Sequence, residues 1–290
     1  MISALLVKEL REKSGAGMMD AKKALLETDG DLEAAQDWLR TKGLLKAEKK
    51  ASRVAAEGLV GVTVHNDEGM IIELNSETDF VATNKEFIQL VDLILDKGFG
   101  VTDKDELLNK DVSGKSFQEV INNKIATIGE NISLRRIRSI KGPNIYAYVH
   151  NSVSKDCGKI GVLVSLEGNN DEDFGKKLAM HIAATSPLAM SEKDLDKDVV
   201  DREKKIITEQ LVSEGKPADI AEKILSGKLK KFFEENTLLN QKFVMDPDVS
   251  IRKLLENNNQ TLINFVRFKV GEGIDKKESD FAAEVKDIVS

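Results

Sequence analysis

Two runs of alternating apolar residues decide the fold: Gly58-Leu59-Val60-Gly61-Val62-Thr63-Val64-His65 and Met70-Ile71-Ile72-Glu73-Leu74-Asn75. Each run has the two-residue period of a strand with one buried face. The residues between them, Asn66-Asp67-Glu68-Gly69, are typical of a hairpin turn. The two runs therefore predict a pair of antiparallel strands.

A helix and a further strand follow this hairpin. Apolar residues recur on one helical face at Phe87, Leu90, Val91, Ile94 and Leu95. Residues 132–138 alternate again and predict a third strand. Between them, a helix is predicted from Ser116 to Ile128, and the sequence leaves the fold of the rest of 98–131 open.

The same order of elements then returns. Residues 145–150 and 160–166 predict two strands, a helix carries Phe174, Leu178 and Ile182, and residues 262–270 predict the last strand. The first strand of each set ends in Val-His-Asn, at 64–66 and at 149–151. We therefore predict an α+β fold whose core has two related subdomains, each an antiparallel sheet backed by helices. Their predicted ranges are 57–140 for the first, and 141–185 with 236–270 for the second.

Residues 186–235 interrupt the second subdomain and predict an inserted helical hairpin. Two helical stretches, 199–212 and 217–233, flank Gly215-Lys216-Pro217, where glycine ends one helix and proline begins the next. We expect Val199, Ile206 and Leu211 to face the second helix, so that the hairpin projects from the core.

The two ends of the chain predict smaller modules. Residues 1–45 predict three short helices in a UBA-like docking module, with Met18 and Met19 pointing one inward and one outward. Residues 46–56 follow as a linker, in which the basic stretch 46–53 is expected to be an exposed tether; RNA binding by this stretch is the weaker alternative. Residues 271–290 predict a C-terminal module with a helix from Ser279.

Composition limits the classes of function. The chain has 290 residues, 41% apolar, and a formal net charge of −7, which argues against a general nucleic-acid binder. No stretch reaches the roughly 20 apolar residues that span a bilayer, and the N-terminus does not have the pattern of a signal peptide. With Cys157 as its one cysteine, the chain can form no internal disulfide. We expect a cytoplasmic protein without direct contact to a membrane or to nucleic acid.

Sequence patterns of covalent catalysis are missing. The three histidines, His65, His150 and His181, are dispersed along the chain. Ser113-Gly114-Lys115-Ser116 fails as a phosphate-binding loop because the earlier glycine is replaced by Asn109. Cys157 has no evident histidine partner and is expected to be an incidental thiol. We expect no enzyme activity, no metal and no cofactor.

Three groups of residues resemble the elongation factor Ts family of bacteria, in its long form. The first runs from Val7 to Leu25 and contains Gly15-Ala16-Gly17-Met18-Met19-Asp20; the second runs from Glu73 to Ala82 and contains Thr78-Asp79-Phe80-Val81. The third group comprises Ala179 to Ala184, Gly215 to Pro217 and Arg267 to Ile274. Their order and spacing cover nearly the whole chain.

The resemblance implies a guanine-nucleotide exchange factor whose partner is elongation factor Tu. It implies that Thr78, Asp79, Phe80 and Val81 intrude beside the magnesium and phosphate site of the partner. Leu10, Met18 and Met19 would dock on the GTPase domain, and His150 would lie near the interface. The inserted hairpin serves dimerisation in some relatives, so a homodimer is possible.

The residues alone leave other interpretations open. Asp79 could cap the helix that begins near Asn84, with Phe80 packed beneath it, and Met18 and Met19 could belong to a core. His150, at a hairpin end, could be a surface residue without a role. A non-exchanging interaction protein, such as a ribosome-associated scaffold, is the alternative function.

Overall fold

The N-terminal module contains three helices, in agreement with the sequence. The structure, a computed structural model, describes residues 2–215 and 217–275, so the helix predicted from Ser279 lies outside the described residues. The module's helices are α1 (Ala4–Ser14), α2 (Met18–Glu27) and α3 (Leu32–Lys50). Val7, Leu10 and Leu25 form its small core, and Asp31 caps α3 by accepting hydrogen bonds from two backbone N–H groups at 2.9 Å.

Helix α3 continues past the predicted module boundary. It extends to Lys50, and Ala47 is buried in the core of the first half of the protein. Gly43 lies against Asn123 and Ala126, where a Cβ atom would be in ordinary contact at 3.5 and 3.9 Å. The expected exposed tether over 46–53 is therefore wrong for residues 46–50, because α3 is long enough to pack on the core.

The first half of the core follows the predicted order. Its elements are β1 (Glu57–His65), β2 (Glu68–Ser76), α4 (Asp79–Ala82), α5 (Lys85–Gly98), α6 (Lys104–Asn109), α7 (Phe117–Ile128) and β3 (Ile132–Lys141). Helix α5 covers one face of β1 and β2. At Gly61 a Cβ atom would lie 2.7 Å from Val91 Cγ1, so glycine permits the close approach of α5 to β1. Ser116 caps α7 in a capping box with Glu119, which confirms the helix predicted from Ser116.

The second half repeats this plan around the inserted hairpin. Its elements are β4 (Asn144–Ser152), β5 (Cys157–Gly168), α8 (Glu172–Thr185), α9 (Lys197–Ser213), α10 (Ala218–Asn236), β6 (Lys242–Phe243), β7 (Asp246–Ser250), α11 (Ile251–Asn257) and β8 (Gln260–Lys269). In each half the second strand is central: β2 pairs with β1 and β3, and β5 pairs with β4 and β8. Even an irregularity repeats, because pairing shifts at Glu73/Leu74 in one half and at Ser165/Leu166 in the other.

The inserted hairpin differs from the prediction in its contacts. Helices α9 and α10 pack against each other, and Ile207 and Leu211 are the buried residues of α9. Val199 and Ile206 are exposed, so their predicted inward orientation is wrong; Ile207 takes the place expected for Ile206. Pro217 caps α10 instead of beginning it.

The two halves share one sheet and one core. Residues Val60 and Gly61 of β1 pair with Gly158 and Cys157 of β5, which joins the strands into a six-stranded sheet. Each half buries one sheet face under its own helices. The opposite faces meet in a separate cluster, whose buried members are Val60, Val62, Ile71, Ile140, Leu163 and Phe268. The two related subdomains are therefore fused through a core that neither could close alone.

Glu73 is a buried carboxylate at the border of this shared core. The shifted register opposes Glu73 to Arg136 and leaves Arg135 unpaired in the ladder, so that both guanidinium groups reach the same carboxylate. Arg135 donates at 3.0 Å and Arg136 at 2.5 Å. From the second half, the backbone N–H of Gly271 donates to Glu73 Oε1 at 2.8 Å. Glu73 thus connects the two halves through the hydrogen bond from Gly271.

Inside the described residues, none of the helices combines the length and apolar character needed to cross a membrane.

Replacing Glu73 with alanine is expected to lower the free energy of unfolding by roughly 3–5 kcal/mol. This magnitude is typical of breaking a buried ion pair, which leaves its partners uncompensated. Urea denaturation followed by circular dichroism measures the change. Glu86→Gln serves as the control, because its exposed pair with Lys124 should contribute at most about 1 kcal/mol. Equal losses in the two variants would contradict the role assigned to Glu73.

His181 should make stability depend on pH. Its side chain is fully buried on α8, its Nε2 lies 3.0 Å from Gln241 Oε1, and the backbone N–H of Val244 donates to Nδ1 at 3.3 Å. Burial lowers the pKa of His181 below its ordinary value of 6.5. The folded protein therefore holds a neutral imidazole, and the unfolded chain takes up the proton first.

The stabilising effect of neutral His181 is complete above its unfolded pKa and is lost as pH falls through 6.5 towards the lower folded pKa. Chemical denaturation of wild type and His181→Gln across this range measures the effect. The wild type should lose more stability on acidification than the variant does. Parallel pH profiles would show that His181 does not contribute.

Candidate protein-docking site

Residues 78–81, called the tip from here on, form one exposed helical turn between β2 and α5. Thr78 is the cap of α4, and its hydroxyl accepts a hydrogen bond from the N–H of Val81 at 3.4 Å. Asp79 is exposed, and 82% of the Phe80 surface is accessible to solvent. Val81 packs against the core of the first half. The tip therefore presents two side chains outward and keeps one as an anchor.

The alternative roles for Asp79 and Phe80 are wrong. Asn84 caps α5 with its own side chain, which accepts from the N–H of Glu86 at 2.8 Å, so Asp79 is not that cap. The exposure of Phe80 shows that its ring does not pack beneath the helix. Among the described residues, Phe80 is the one aromatic ring in the set of exposed large apolar side chains.

Two acidic side chains fasten the tip to the chain segment after α7, residues 129–131, which we call the 129–131 turn. Glu130 accepts hydrogen bonds from the backbone N–H of Thr78 at 3.0 Å and from its hydroxyl at 2.6 Å. Glu77 accepts from the N–H of Asn131 at 2.6 Å. The hydroxyl of Ser76 also donates to the carbonyl of Thr78 at 2.9 Å. The orientation of the tip is thus set by contacts on both sides.

The end of α3 and the residues just after it also contact the 129–131 turn. The side-chain amide of Asn131 donates to the carbonyl of Arg53 at 2.8 Å, and the ammonium of Lys50 donates to the carbonyl of Gly129. Arg53 further approaches Glu77, at 3.5 Å between Nη1 and Oε2. The N-terminal module and the tip are therefore connected through one short network.

The predicted docking residues of the N-terminal module fall into two groups. Met18 and Met19 are both exposed, at 49% and 76%, so the expectation that one points inward is wrong. Leu10 is fully buried in the module core. A direct contact between Leu10 and a partner would need this core to open. Leu10 therefore supports the module from within and is not part of its surface.

His150 lies apart from the contacts that hold the tip. It is exposed near the end of β4, and its Nδ1 is 3.0 Å from the hydroxyl of Tyr148. The rings of His150 and Tyr148 are neighbours, with 6.1 Å between their centroids. It does not bring His150 into the network around Thr78.

The surface of α2 depends on a charge pair with α3. Asp20, next to Met19 in the sequence, forms ion pairs with Lys42 at 2.7 Å and with Lys46 at 2.9 Å. Hydrogen bonding to Lys42 and then to Lys46 lowers the pKa of Asp20. These contacts hold α2 against α3 and so fix where Met18 and Met19 lie.

Cys157, the single cysteine considered in the sequence analysis, is buried at the start of β5. Burial raises the pKa of the Cys157 thiol, whose Sγ lies 3.0 Å from the hydroxyl of Ser154. Among residues 2–215 and 217–275, no group of three or more His, Cys, Asp or Glu side chains could hold a metal ion.

Sequence reasoning found the tip but missed the residues that hold it. Glu77, Glu130 and Asn131 have no local pattern that marks them, since Thr78 and Glu130 are 52 positions apart in the chain. One signal was present: Gly129 follows a predicted helix and has a φ of +91°, the left-handed conformation of a helix C-cap. That glycine places the turn but does not reveal its partners.

Comparison with known proteins decides the family. The family model described as "Elongation factor TS" matches residues 77–272. An elongation factor Ts of Paracoccus denitrificans is 53% identical over 287 residues, covering 98% of this chain and 97% of the relative. Elongation factors Ts of Ruegeria sp. and Cereibacter sphaeroides are 51% and 52% identical, with the same coverage.

The chain belongs to the elongation factor Ts family. This confirms the resemblance seen in the sequence. The elongation factor Ts model begins at Glu77, so it includes the tip and the 129–131 turn. The N-terminal module lies outside that range, but the relatives cover it through their near-complete overlap with the chain.

Phe80→Ala should leave the folded protein almost as stable as before, within about 0.5 kcal/mol, because the ring is exposed. Phe87→Ala, seven positions further along, should destabilise by roughly 3–5 kcal/mol because its ring is fully buried. Thermal unfolding of both variants beside wild type tests the assignment. A large loss in Phe80→Ala would mean that the ring packs inside the protein.

Proposed function

We propose that this member of the elongation factor Ts family is a guanine-nucleotide exchange factor for elongation factor Tu, acting in translation elongation. The carrying observation is Phe80, an exposed aromatic side chain on a tip that is already held in place. Pre-ordered aromatic anchors are typical of interface hot spots, because little conformational freedom is lost on binding. The corresponding connection in the second half, residues 169–171 between β5 and α8, contains no aromatic residue.

Phe80 can supply part of the free energy that exchange needs. An exchange factor must bind the nucleotide-free partner better than the nucleotide-bound one, and the coupling between the two ligands is reciprocal. Reversing a 1:99 equilibrium takes roughly 5.5 kcal/mol of differential binding. Complete burial of a Phe side chain contributes about 1.5–3 kcal/mol of this amount.

Asp79 would act by charge. It is exposed beside Phe80, so both side chains would enter the same region of the partner. A carboxylate placed near phosphates or magnesium ligands disturbs their coordination, and like charges about 4 Å apart repel by up to about 4 kcal/mol at an effective dielectric of 20. Neither residue reacts covalently in this proposal, so the protein would promote release without being an enzyme in the covalent sense.

Met18 and Met19 would supply docking energy on the GTPase domain. Their flexible apolar side chains suit a contact surface, and α3 connects that surface to the 129–131 turn. Binding through the module would then bring the tip to a set position. His150 would add a contact from the second half, on β4.

The remaining partners stay predictions. A partnership with elongation factor Tu would put the protein in the cytoplasm, and we expect no direct contact to nucleic acid or membrane. A homodimer through α9 and α10 is compatible with the exposed Val212 and Ile220 of this hairpin. Sedimentation of the purified chain would test that association.

Phe80→Ala is expected to slow catalysed release of GDP from elongation factor Tu by about 10- to 100-fold, which corresponds to the loss of a buried Phe. The measurement follows labelled GDP leaving elongation factor Tu at saturating concentrations of the chain. The affinity for GDP-bound elongation factor Tu should fall much less, because the N-terminal module still docks.

Leu188→Ala provides the matched control, since Leu188 is an exposed apolar residue outside the tip. It should leave the release rate unchanged. If wild type does not accelerate GDP release, the exchange proposal is wrong. Binding to elongation factor Tu without any change in the nucleotide off-rate would favour the non-exchanging scaffold instead. If Phe80→Ala lowers the affinity for GDP-bound elongation factor Tu by as large a factor as it slows exchange, the intruding tip is contradicted.

A further inference from the structure

We propose that Glu130 is a positioning residue for exchange: it holds Thr78 and thereby sets where Asp79 and Phe80 point. This inference rests on the proposed function of the tip. It concerns a residue outside the tip, on the far side of α7 in the sequence, and it assigns a role in the activity to a contact that could otherwise be regarded as structural.

The first support is the number of bonds made to one residue of the tip. Glu130 Oε2 accepts from the N–H of Thr78 at 3.0 Å, and Oε1 accepts from the Thr78 hydroxyl at 2.6 Å. Both bonds have an ionised acceptor, the stronger class of hydrogen bond. Because one carboxylate accepts both hydrogen bonds, they fix the direction of the backbone at Thr78 and the rotamer of its side chain.

The second support is the reciprocal contact beside it. Glu77, just before Thr78, accepts from the N–H of Asn131, just after Glu130, at 2.6 Å. The two chain segments are therefore joined by acidic side chains pointing in opposite directions. Asn131 is itself buried, and its amide is held by the carbonyl of Arg53 at 2.8 Å.

The third support is the firm base of the turn. The N–H of Gly129 donates to Ile125 of α7 at 2.9 Å, and Ile121 and Ile125 are buried in the core. The core thus fixes the position of α7, the end of α7 fixes the position of Glu130, and Glu130 orients Thr78. Helix α4 has only four residues, and a single isolated turn does not hold its own shape in water.

The tip therefore needs an external support, and Glu130 supplies it. A loosely held tip would still carry Phe80, but it would have to be ordered during binding, which lowers the share of binding energy available for displacing the nucleotide. Loss of Glu130 should affect the exchange rate more than docking of the N-terminal module, whose Met18 and Met19 lie elsewhere.

Two substitutions at Glu130 separate geometry from charge. Glu130→Ala removes both bonds and should slow catalysed GDP release roughly tenfold. Glu130→Gln keeps an oxygen for the N–H of Thr78 and offers its amide to the Thr78 hydroxyl, so it should retain most of the activity. If Gln fails as badly as Ala and both losses add fully to that of Phe80→Ala, the charge of Glu130 acts independently of the tip, and the positioning role is overturned.

A double-mutant cycle with Phe80→Ala tests whether Glu130 acts through the tip. If it does, adding Glu130→Ala to Phe80→Ala should slow release much less than it slows the wild type. Fully additive effects would overturn the proposal, because they would mean that Glu130 contributes independently of Phe80. Thr78→Val, which removes only the hydroxyl, gives an independent measure should Glu130→Ala be poorly folded; an unchanged release rate in that variant would also count against the proposal.

Glu86→Gln is the matched control. It removes the same charge close to the tip, on α5, while leaving the contacts of Thr78 in place. It should not change GDP release. Wild-type activity is measured first: its absence would overturn the exchange function itself, whereas an active wild type with an unaffected Glu130→Ala would overturn only the positioning role.

Discussion

Every strand of the core has two faces, and each half of the protein has helices for only one of them. Along β2, Met70, Ile72 and Leu74 pack under α5, while Ile71 points the other way. An antiparallel sheet with one apolar face uncovered must bury it elsewhere. In this protein that face meets its counterpart from the second half, so the two halves depend on each other.

Glu73 lies on this same shared side, and its position explains how the halves stay in register. A charge at the edge of an apolar interface is tolerated only when it is compensated on all sides. The shifted register of β3 supplies two arginines, and the segment after β8 supplies a backbone N–H. In the second half Ser165 occupies the matching place beside the shift, without a charge. The repeat is thus asymmetric at the residue that joins the halves.

The second asymmetry is the tip. The connection from β2 to α5 runs over residues 77–84, whereas that from β5 to α8 takes only 169–171. The additional residues form a helical turn, held by Glu130, from which Asp79 and Phe80 project. The tip is a short exposed turn that follows β2 and is held by the segment after α7. Binding residues are often placed on such a connection, with the regular elements as its support. The two halves have the same order of elements, and the connection from β2 to α5 is where the first half carries an additional binding element.

The sequence by itself determined the local elements and the family. Strand alternation, helical periodicity and the repeated Val-His-Asn gave the order of both halves, and Thr78-Asp79-Phe80-Val81 marked the tip, because these signals lie within a few neighbouring residues. Only the tertiary structure decided the rest. Leu10 is buried, and the buried residue of α9 is Ile207 and not Ile206. Helix α3 extends onto the core, and Glu130 binds Thr78 although the two are 52 positions apart. Those outcomes depend on which surfaces meet, and a linear pattern of residue types does not contain that information.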